Sequence, residues 1–282
     1  MELKKLTHDE VLSLLPDRKA DTHKGDYGRL LLLCGSKGYT GAAALAAMGA
    51  LRTGAGLVCL GVPESIYAVE AGKLLEPVIY PLPENRGMLS ADSIHQISKL
   101  LPRMNVVLIG PGLGQSDGTL QVVNYILKNF SGPVVLDADG INVLAEHRDI
   151  LRGRTSATVL TPHEGEFLRL GGLLEAGRIK GAVRMARDLN ATVALKGHET
   201  VITDGSYCYS NPTGNPGMAV GGSGDMLAGM VAALLGQGMP TLEAVACAVW
   251  LHGAAGDICA REIGQYGMLP SDMLQVLPRL MK

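Results

Sequence analysis

Short apolar runs alternate with longer amphipathic segments along most of the chain's 282 residues. Residues 30–34, 58–62, 106–109, 134–136, 159–160 and 193–195 are rich in Leu, Val and Ile and stop at Gly, Pro, Asp or Lys, which predicts buried strands. Between them, 42–52, 65–73, 91–101, 119–130, 164–170 and 174–189 carry apolar residues at helical spacing. This alternation predicts an α/β fold, a mainly parallel central sheet with helices on both faces. Further on, 200–203 and 207–209 flank Asp204-Gly205-Ser206 and read as a hairpin, hence an antiparallel edge to that sheet. A helix is expected at the apolar stretch 226–235, followed by helices over 242–263 and 272–280. No linker rich in Pro, Ser or charge divides the chain, so 1–282 reads as a single domain.

Composition sharpens this picture. Hydrophobic residues reach 47% while aromatics are only 4% and glycines number 37, so the interior must be aliphatic and closely packed at the backbone. With 25 basic and 27 acidic residues, net −2, no broad basic field exists for nucleic acid or an anionic membrane, and an anionic ligand must be held locally. Cys34, Cys59, Cys208, Cys247 and Cys259 are odd in number, far apart and without a C-x-x-C pair, which argues for buried thiols over a disulfide framework or zinc site. The N-terminal run carries charges where a signal peptide is apolar, and no apolar run reads as long enough to cross a bilayer uninterrupted. A cytoplasmic setting with no membrane and no nucleic-acid partner is the expectation.

The most informative segment is 211–225, NPTGNPGMAVGGSGD, followed at once by the apolar stretch. Glycines let main-chain N–H groups converge on an anion, and a helix N-terminus behind them adds partial positive charge. Gly222, Ser223 and Gly224 are therefore expected to form an anion hole. Asp is a preferred N-cap, yet an acid here would repel the anion the amides attract; as a base, Asp225 could instead take the proton from a hydroxyl beside a migrating phosphoryl group.

In doubly wound sheets ligands lie beyond the carboxyl ends of the strands. The first such turn, Gly35-Ser36-Lys37-Gly38-Tyr39-Thr40-Gly41-Ala42-Ala43, suits either a planar ligand or tight helix packing, and the missing acid after Gly61 and Val62 counts against a nicotinamide-dependent dehydrogenase. GPGLG at 110–114 could form a ligand-facing wall. Asp137 and Asp139 could orient Mg²⁺ through water, or equally cap the helix at Ile141. His163 is expected to touch substrate without moving a proton, with Glu164 and Glu166 in the following helix turn. Lys196, at a strand end, could meet a nucleotide phosphate or lie as a surface lysine.

Together these residues resemble the ADP- or ATP-dependent NAD(P)H-hydrate dehydratases of the ribokinase-like fold. The resemblance runs over almost the whole chain and rests most on TGNPGMAVGGSGD at 213–225, LTPHEGEF at 160–167 and GPGLG at 110–114. It implies that Ala42, Gly112, His163 and Asp225 contact the hydrated nicotinamide nucleotide, NADHX or NADPHX. It further implies that Lys196, Gly197, His198, Glu199, Thr200 and Gly224 hold the AMP part of the spent ADP or ATP donor. The implied reaction phosphorylates the ring hydroxyl and eliminates phosphate, restoring NADH or NADPH, with Asp225 as base and Mg²⁺ as cofactor. Glu164 stands where the family usually has Pro, and Met226 where Thr or Val is common. Many members carry an N-terminal epimerase domain; since the similar region begins near Lys24, a separate epimerase is the expected functional partner, and a homotetramer the expected assembly. The alternatives are a small-alcohol kinase of the same fold, such as a hydroxyethylthiazole or vitamin kinase, and a non-catalytic nucleotide sensor, which Asp225 disfavours.

Overall fold

A computed structural model of the chain describes residues 3–282. In chain order its first half holds β1 (Leu3–Lys4), α1 (His8–Leu14), β2 (Arg29–Leu33), α2 (Thr40–Arg52), β3 (Leu57–Pro63), α3 (Glu64–Lys73), β4 (Val78–Leu82), β5 (Glu84–Asn85), β6 (Met88–Leu89), α4 (Ser93–Leu100), β7 (Val106–Ile109) and α5 (Asp117–Asn129). The second half holds β8 (Val134–Leu136), α6 (Asp139–Asn142), α7 (Asp149–Arg152), β9 (Thr158–Leu160), α8 (Glu164–Arg169), α9 (Arg178–Leu189), β10 (Thr192–Leu195), β11 (Val201–Thr203), β12 (Cys208–Ser210), α10 (Ser223–Gly236), α11 (Thr241–Glu262) and α12 (Pro270–Val276).

Ten strands form one sheet in the order β1-β12-β11-β10-β9-β8-β7-β2-β3-β4, and β5 with β6 makes a separate hairpin. Within the large sheet only β11 runs antiparallel to its neighbours, β10 and β12. The expected hairpin is therefore present as β11–β12, and β1 adds in parallel outside it. At the other edge β4 went unread in the sequence because Tyr80 and Pro81 interrupt the apolar run; proline is tolerated there because an edge strand leaves one row of N–H groups unpaired. The helix expected from 174 begins at Arg178, since Gly177 turns the chain at φ +91°.

Alternation along β2 divides the interior into two cores. Leu30 and Leu32 pack with α2, α10 and α11, whereas Leu31 and Leu33 pack on the other face with α5 and α9. All five cysteines are buried free thiols. Helix α11 corrects one expectation: by length and composition it could cross a membrane, but 78% of its most apolar window is buried, so its apolarity is that of a core helix. Glycine-rich packing is tightest where α2 crosses α10: a side chain at Gly49 would collide with the Met226 carbonyl, and one at Gly229 with the Ala46 carbonyl. The two backbones touch directly, which fixes where α10 begins.

Candidate functional site

From β2 the chain winds outward to β4 and then returns to β7 on the other side of β2, so strand order reverses between β2 and β7. The crevice beyond their carboxyl ends is where this architecture places ligands. Two turns line it. The Gly35 N–H donates to the Pro111 carbonyl at 2.7 Å and Ser36 Oγ to the Gly112 carbonyl at 2.7 Å, stitching the turns together. Gly112 has φ +64°, and a Cβ there would lie 2.8 Å from that of Ala42, so these two residues form one nearly bare stretch of wall. The sequence expectation had named both.

The N-terminus of α10 opens into the same crevice. Gly222 takes φ +97° as its N-cap, and the Ser223 N–H is held loosely by the Val220 carbonyl at 3.4 Å. The N–H groups of Gly222, Gly224 and Asp225 make no hydrogen bond among the described residues, leaving main-chain donors for an anion. Behind them Ser223 Oγ lies 3.3 Å from Nε2 of the buried His252. Burial, with the nearby Lys196 charge, pushes that imidazole down to about 4 against a hydrogen bond from the ring to the Ser223 main chain, so it is neutral at physiological pH.

A charged cluster faces these amides. Lys196, at the end of β10, donates to Asp137 Oδ1 at 2.6 Å and stands 3.9 Å from Glu166 Oε2. Thr161 Oγ1 donates to the same Asp137 oxygen at 2.8 Å. A Cβ on Gly224 would sit 3.2 Å from Lys196 Nζ and 3.8 Å from Asp137 Oδ2, so the lysine reaches the start of α10. Lys196 is thus not a surface lysine: its side chain is 19% exposed, and although burial pulls its pKa down, Asp137 and Glu166 outweigh this and hold it above the usual lysine value. Burial also raises the Glu166 carboxyl, with Lys196 opposing.

The Asp225 carboxyl accepts no hydrogen bond among the described residues, and the residue is only half-buried. Burial first, then the charge of Asp137, push its carboxyl up to about 6, with Lys196 opposing and Glu166 and Asp139 adding to the rise. An unpartnered carboxyl of that acidity beside free amides can accept a proton near neutral pH.

Asp137 and Asp139 separate in role. Between them Ala138 sits at φ +46°, a strained conformation for a residue with a side chain, and the turn sends the two carboxylates to different partners. Asp139 accepts from the Gly114 N–H at 2.9 Å and from Gln115 and Asn142 at 3.2 Å each, anchoring the turn at 110–114. Of the two aspartates expected to orient a metal through water, Asp139 accepts from protein donors at both oxygens, while Asp137 keeps Oδ2 outside its bonds to Lys196 and Thr161. No group of three or more His, Cys, Asp and Glu side chains is placed to cage a metal among the described residues. Such an arrangement fits Mg²⁺ only in the manner usual for nucleotide sites, with one carboxylate, waters and ligand phosphates.

His163 lies on the rim as expected, and it also caps α8. Its Nδ1 accepts from the N–H groups of Gly165 at 3.0 Å and Glu166 at 3.3 Å, while Glu166 Oε2 accepts from the His163 N–H at 2.8 Å. With Nδ1 an acceptor, Nε2 carries the proton and points toward Glu166 Oε1 at 3.3 Å. The turn from Lys196 to Thr200 is closed by Thr200 Oγ1 donating to the Gly197 carbonyl at 3.0 Å, and by Arg178, which donates to the Leu195 and Lys196 carbonyls at 2.9 and 3.1 Å. His198 and Glu199 are exposed, and Glu199 pairs with Lys5 at 3.1 Å. Glu166, Thr161 and His252 were not read as members of the site. Glu166 was detectable as the third residue after a capping histidine, whereas nothing in the sequence links His252 to Ser223.

Known proteins resemble this chain over most of its length. The family described as NAD(P)H-hydrate dehydratase matches residues 30–279. A bifunctional NAD(P)H-hydrate repair enzyme of Moorella thermoacetica is 44% identical over 277 residues, covering 96% of this chain and 52% of the relative. The chain thus spans about half the length of that relative. Among solved structures, a ribokinase-like superfamily protein of Enterococcus faecalis superposes with TM-score 0.88 at 28% identity, covering 99% of this chain and 95% of that one. The ADP/ATP-dependent NAD(P)H-hydrate dehydratase of Bacillus subtilis, co-crystallised with ATP and Mg²⁺, superposes with TM-score 0.84 at 32% identity, covering 99% and 98%.

Proposed function

Since the chain belongs to the NAD(P)H-hydrate dehydratase family, with a ribokinase-like fold, we propose that it restores NADH or NADPH from the hydrated cofactor with ADP or ATP as phosphoryl donor. The observation that carries this reading is the placement of Asp225: an unpaired carboxyl raised to about 6, in the first turn of α10 with its free main-chain amides, and within reach of the Lys196 charge.

In this account Asp225 takes the proton from the ring hydroxyl as that oxygen forms a bond to the donor's terminal phosphorus. The bond from that phosphorus to the leaving nucleotide breaks, giving AMP from ADP or ADP from ATP. The free amides of Gly222 and Gly224, joined by the loosely held amide of Ser223, hold the equatorial oxygens in transit, and Lys196, fixed by Asp137 and Glu166, adds a positive charge. The ring nitrogen then pushes out phosphate, which leaves with the electron pair of the broken ring C–O bond, and loss of a neighbouring C–H proton restores the double bond. Mg²⁺ arriving with the nucleotide would be held by the phosphates, water and Asp137 Oδ2, and would supply charge neutralisation. Ala42, Gly112 and His163 contact the hydrated nucleotide, and the turn from Lys196 to Thr200 with Gly224 holds the AMP part.

The bifunctional relative supports an epimerase activity as functional partner, converting the other hydrate epimer into substrate. Assembly as a homotetramer belongs to the same proposal and is read out by light scattering. The small-alcohol kinase reading has less support, because the family match spans 30–279. The deciding experiment incubates the protein with NADHX, Mg²⁺ and either ADP or ATP and follows the absorbance of the reduced nicotinamide. Recovery with nucleotide and none without it supports the reading; nucleotide consumption with a stable phosphorylated product would replace it with a kinase.

A further inference from the structure

At the far end of α8 from the crevice, a cavity of about 360 Å³ opens between α7, the turn that follows α8, and α9. Its charged lining is three guanidinium groups, Arg148, Arg152 and Arg184, against one carboxylate, Asp188. Arg152 is neutralised, paired with Asp149 and, at 2.8 Å, with Asp188. Arg148 bonds only the Leu170 carbonyl at 3.2 Å, and Arg184 makes no ion pair or side-chain hydrogen bond among the described residues. The Asp188 carboxyl is held below its usual value by the Arg152 hydrogen bond first and by the charges of Arg148 and Arg184 as well, so all three cations surround one space. Three guanidinium groups against Asp149 and Asp188 leave one net positive charge at this concavity, in a chain whose own net charge is −2, and neither Arg148 nor Arg184 has an ion-pair partner among the described residues. Apolar side chains of Leu173 and Met185 share the lining, and Gly171, at φ +87°, leaves room for the Arg148 guanidinium where a Cβ would overlap it. Unpaired guanidinium groups in a concavity match the planar, multi-acceptor geometry of phosphate, and the volume is that of a small-molecule site.

We propose that this cavity is a second ligand site, separate from the crevice, that takes a small phosphate-bearing metabolite, its phosphate between Arg148 and Arg184 and its organic part against Leu173 and Met185. Nothing in the phosphoryl-transfer account uses these residues. The site binds and releases its ligand without covalent chemistry, and its affinity falls with added salt because two ion pairs form on binding.

Calorimetric titration of the full chain with phenyl phosphate tests this, comparing the parent with the Arg148→Gln, Arg184→Gln double variant. Phosphate can also enter the crevice, so the difference between the two proteins is the readout, and it does not depend on whether ADP is a substrate. The expected result is a saturable site weakened at least about tenfold in the double variant, with melting temperature unchanged. Identical isotherms for the two proteins overturn the proposal. Arg184→Gln alone, at an exposed side chain without a partner, keeps the test valid if the double variant folds poorly: it should weaken the same site at least about threefold, and an unchanged isotherm would overturn the proposal.

Discussion

Replacing Asp225 with Asn tests both the chemistry and the electrostatics of the crevice. Asparagine keeps the size and shape of the side chain but cannot take a proton. With its carboxyl at about 6, Asp225 is roughly nine-tenths ionised one pH unit higher, ready to act as a base. Loss of a positioned base costs about 10²–10⁴ in rate, or about 3 to 5 kcal/mol of barrier. The same substitution should stabilise the fold. The carboxyl rises from 3.8 to about 6 on folding, so the folded state holds the proton more tightly and ionisation weakens it. That penalty is absent at pH below 3.8, grows as pH rises to about 6, and levels off there at on the order of 3 kcal/mol. Asp225→Asn should therefore melt about 5 to 10 °C higher at neutral pH, with the gain vanishing near pH 4. Turnover is followed by nicotinamide absorbance, nucleotide affinity by calorimetry and stability by thermal melts at several pH values. Turnover within about threefold of the parent would refute the base assignment; a lower melting temperature at neutral pH would refute the electrostatic argument.

The remaining predictions concern the parts around that carboxyl. The parent's kcat/KM should rise with pH to about 6 and level off above it, and a profile flat through that point would contradict ionised Asp225 as the working form. Lys196→Met leaves Asp137 and Glu166 without their cation and should cost about 3 to 5 kcal/mol in urea unfolding; an unchanged midpoint would show that the pair contributes nothing to the fold. Asp139→Ala frees the turn at 110–114 and should raise KM for the hydrated nucleotide while leaving the Mg²⁺ dependence alone, whereas a Mg²⁺ midpoint shifted about tenfold with KM intact would assign Asp139 to the metal instead. Gly229→Val drives a side chain into the Ala46 carbonyl and should destabilise by at least about 1 to 3 kcal/mol; a wild-type melt would mean the two helices separate easily.

What the sequence revealed and what it hid divide along physical lines. The continuous apolar runs of β2, β3 and β7 to β10 were readable because strands covered on both faces need no polar alternation. Edge elements escaped: β4 carries Pro81, and β1 has only two residues. In the crevice, the rule that ligands gather at carboxyl ends picked out the strand-end residues to inspect, and Lys196 reaches Gly224 at the start of α10, close enough for its charge to act on the Asp225 carboxyl. Long-range partnerships were hidden. Fifty-nine positions separate Lys196 from Asp137, and no local pattern announces that one bonds the other. The backbone turn at Ala138 is equally silent, because alanine there gives no composition signal for a positive φ. It alone decides that two near-adjacent aspartates serve different neighbours.

The seam between α2 and α10 has a consequence for how the protein accommodates its ligands. Main chain resting on main chain at Gly49 and Gly229 offers no rotamer to adjust, so the helix that carries Asp225 acts as a fixed reference frame. Adaptation to the proposed dinucleotide must come from the loops beside it. There Gly38 and Gly221 have no atom within 4 Å of where a side chain would begin, their chain neighbours aside. Adaptive change in turnover or substrate fit has freedom in those loops and almost none along the seam.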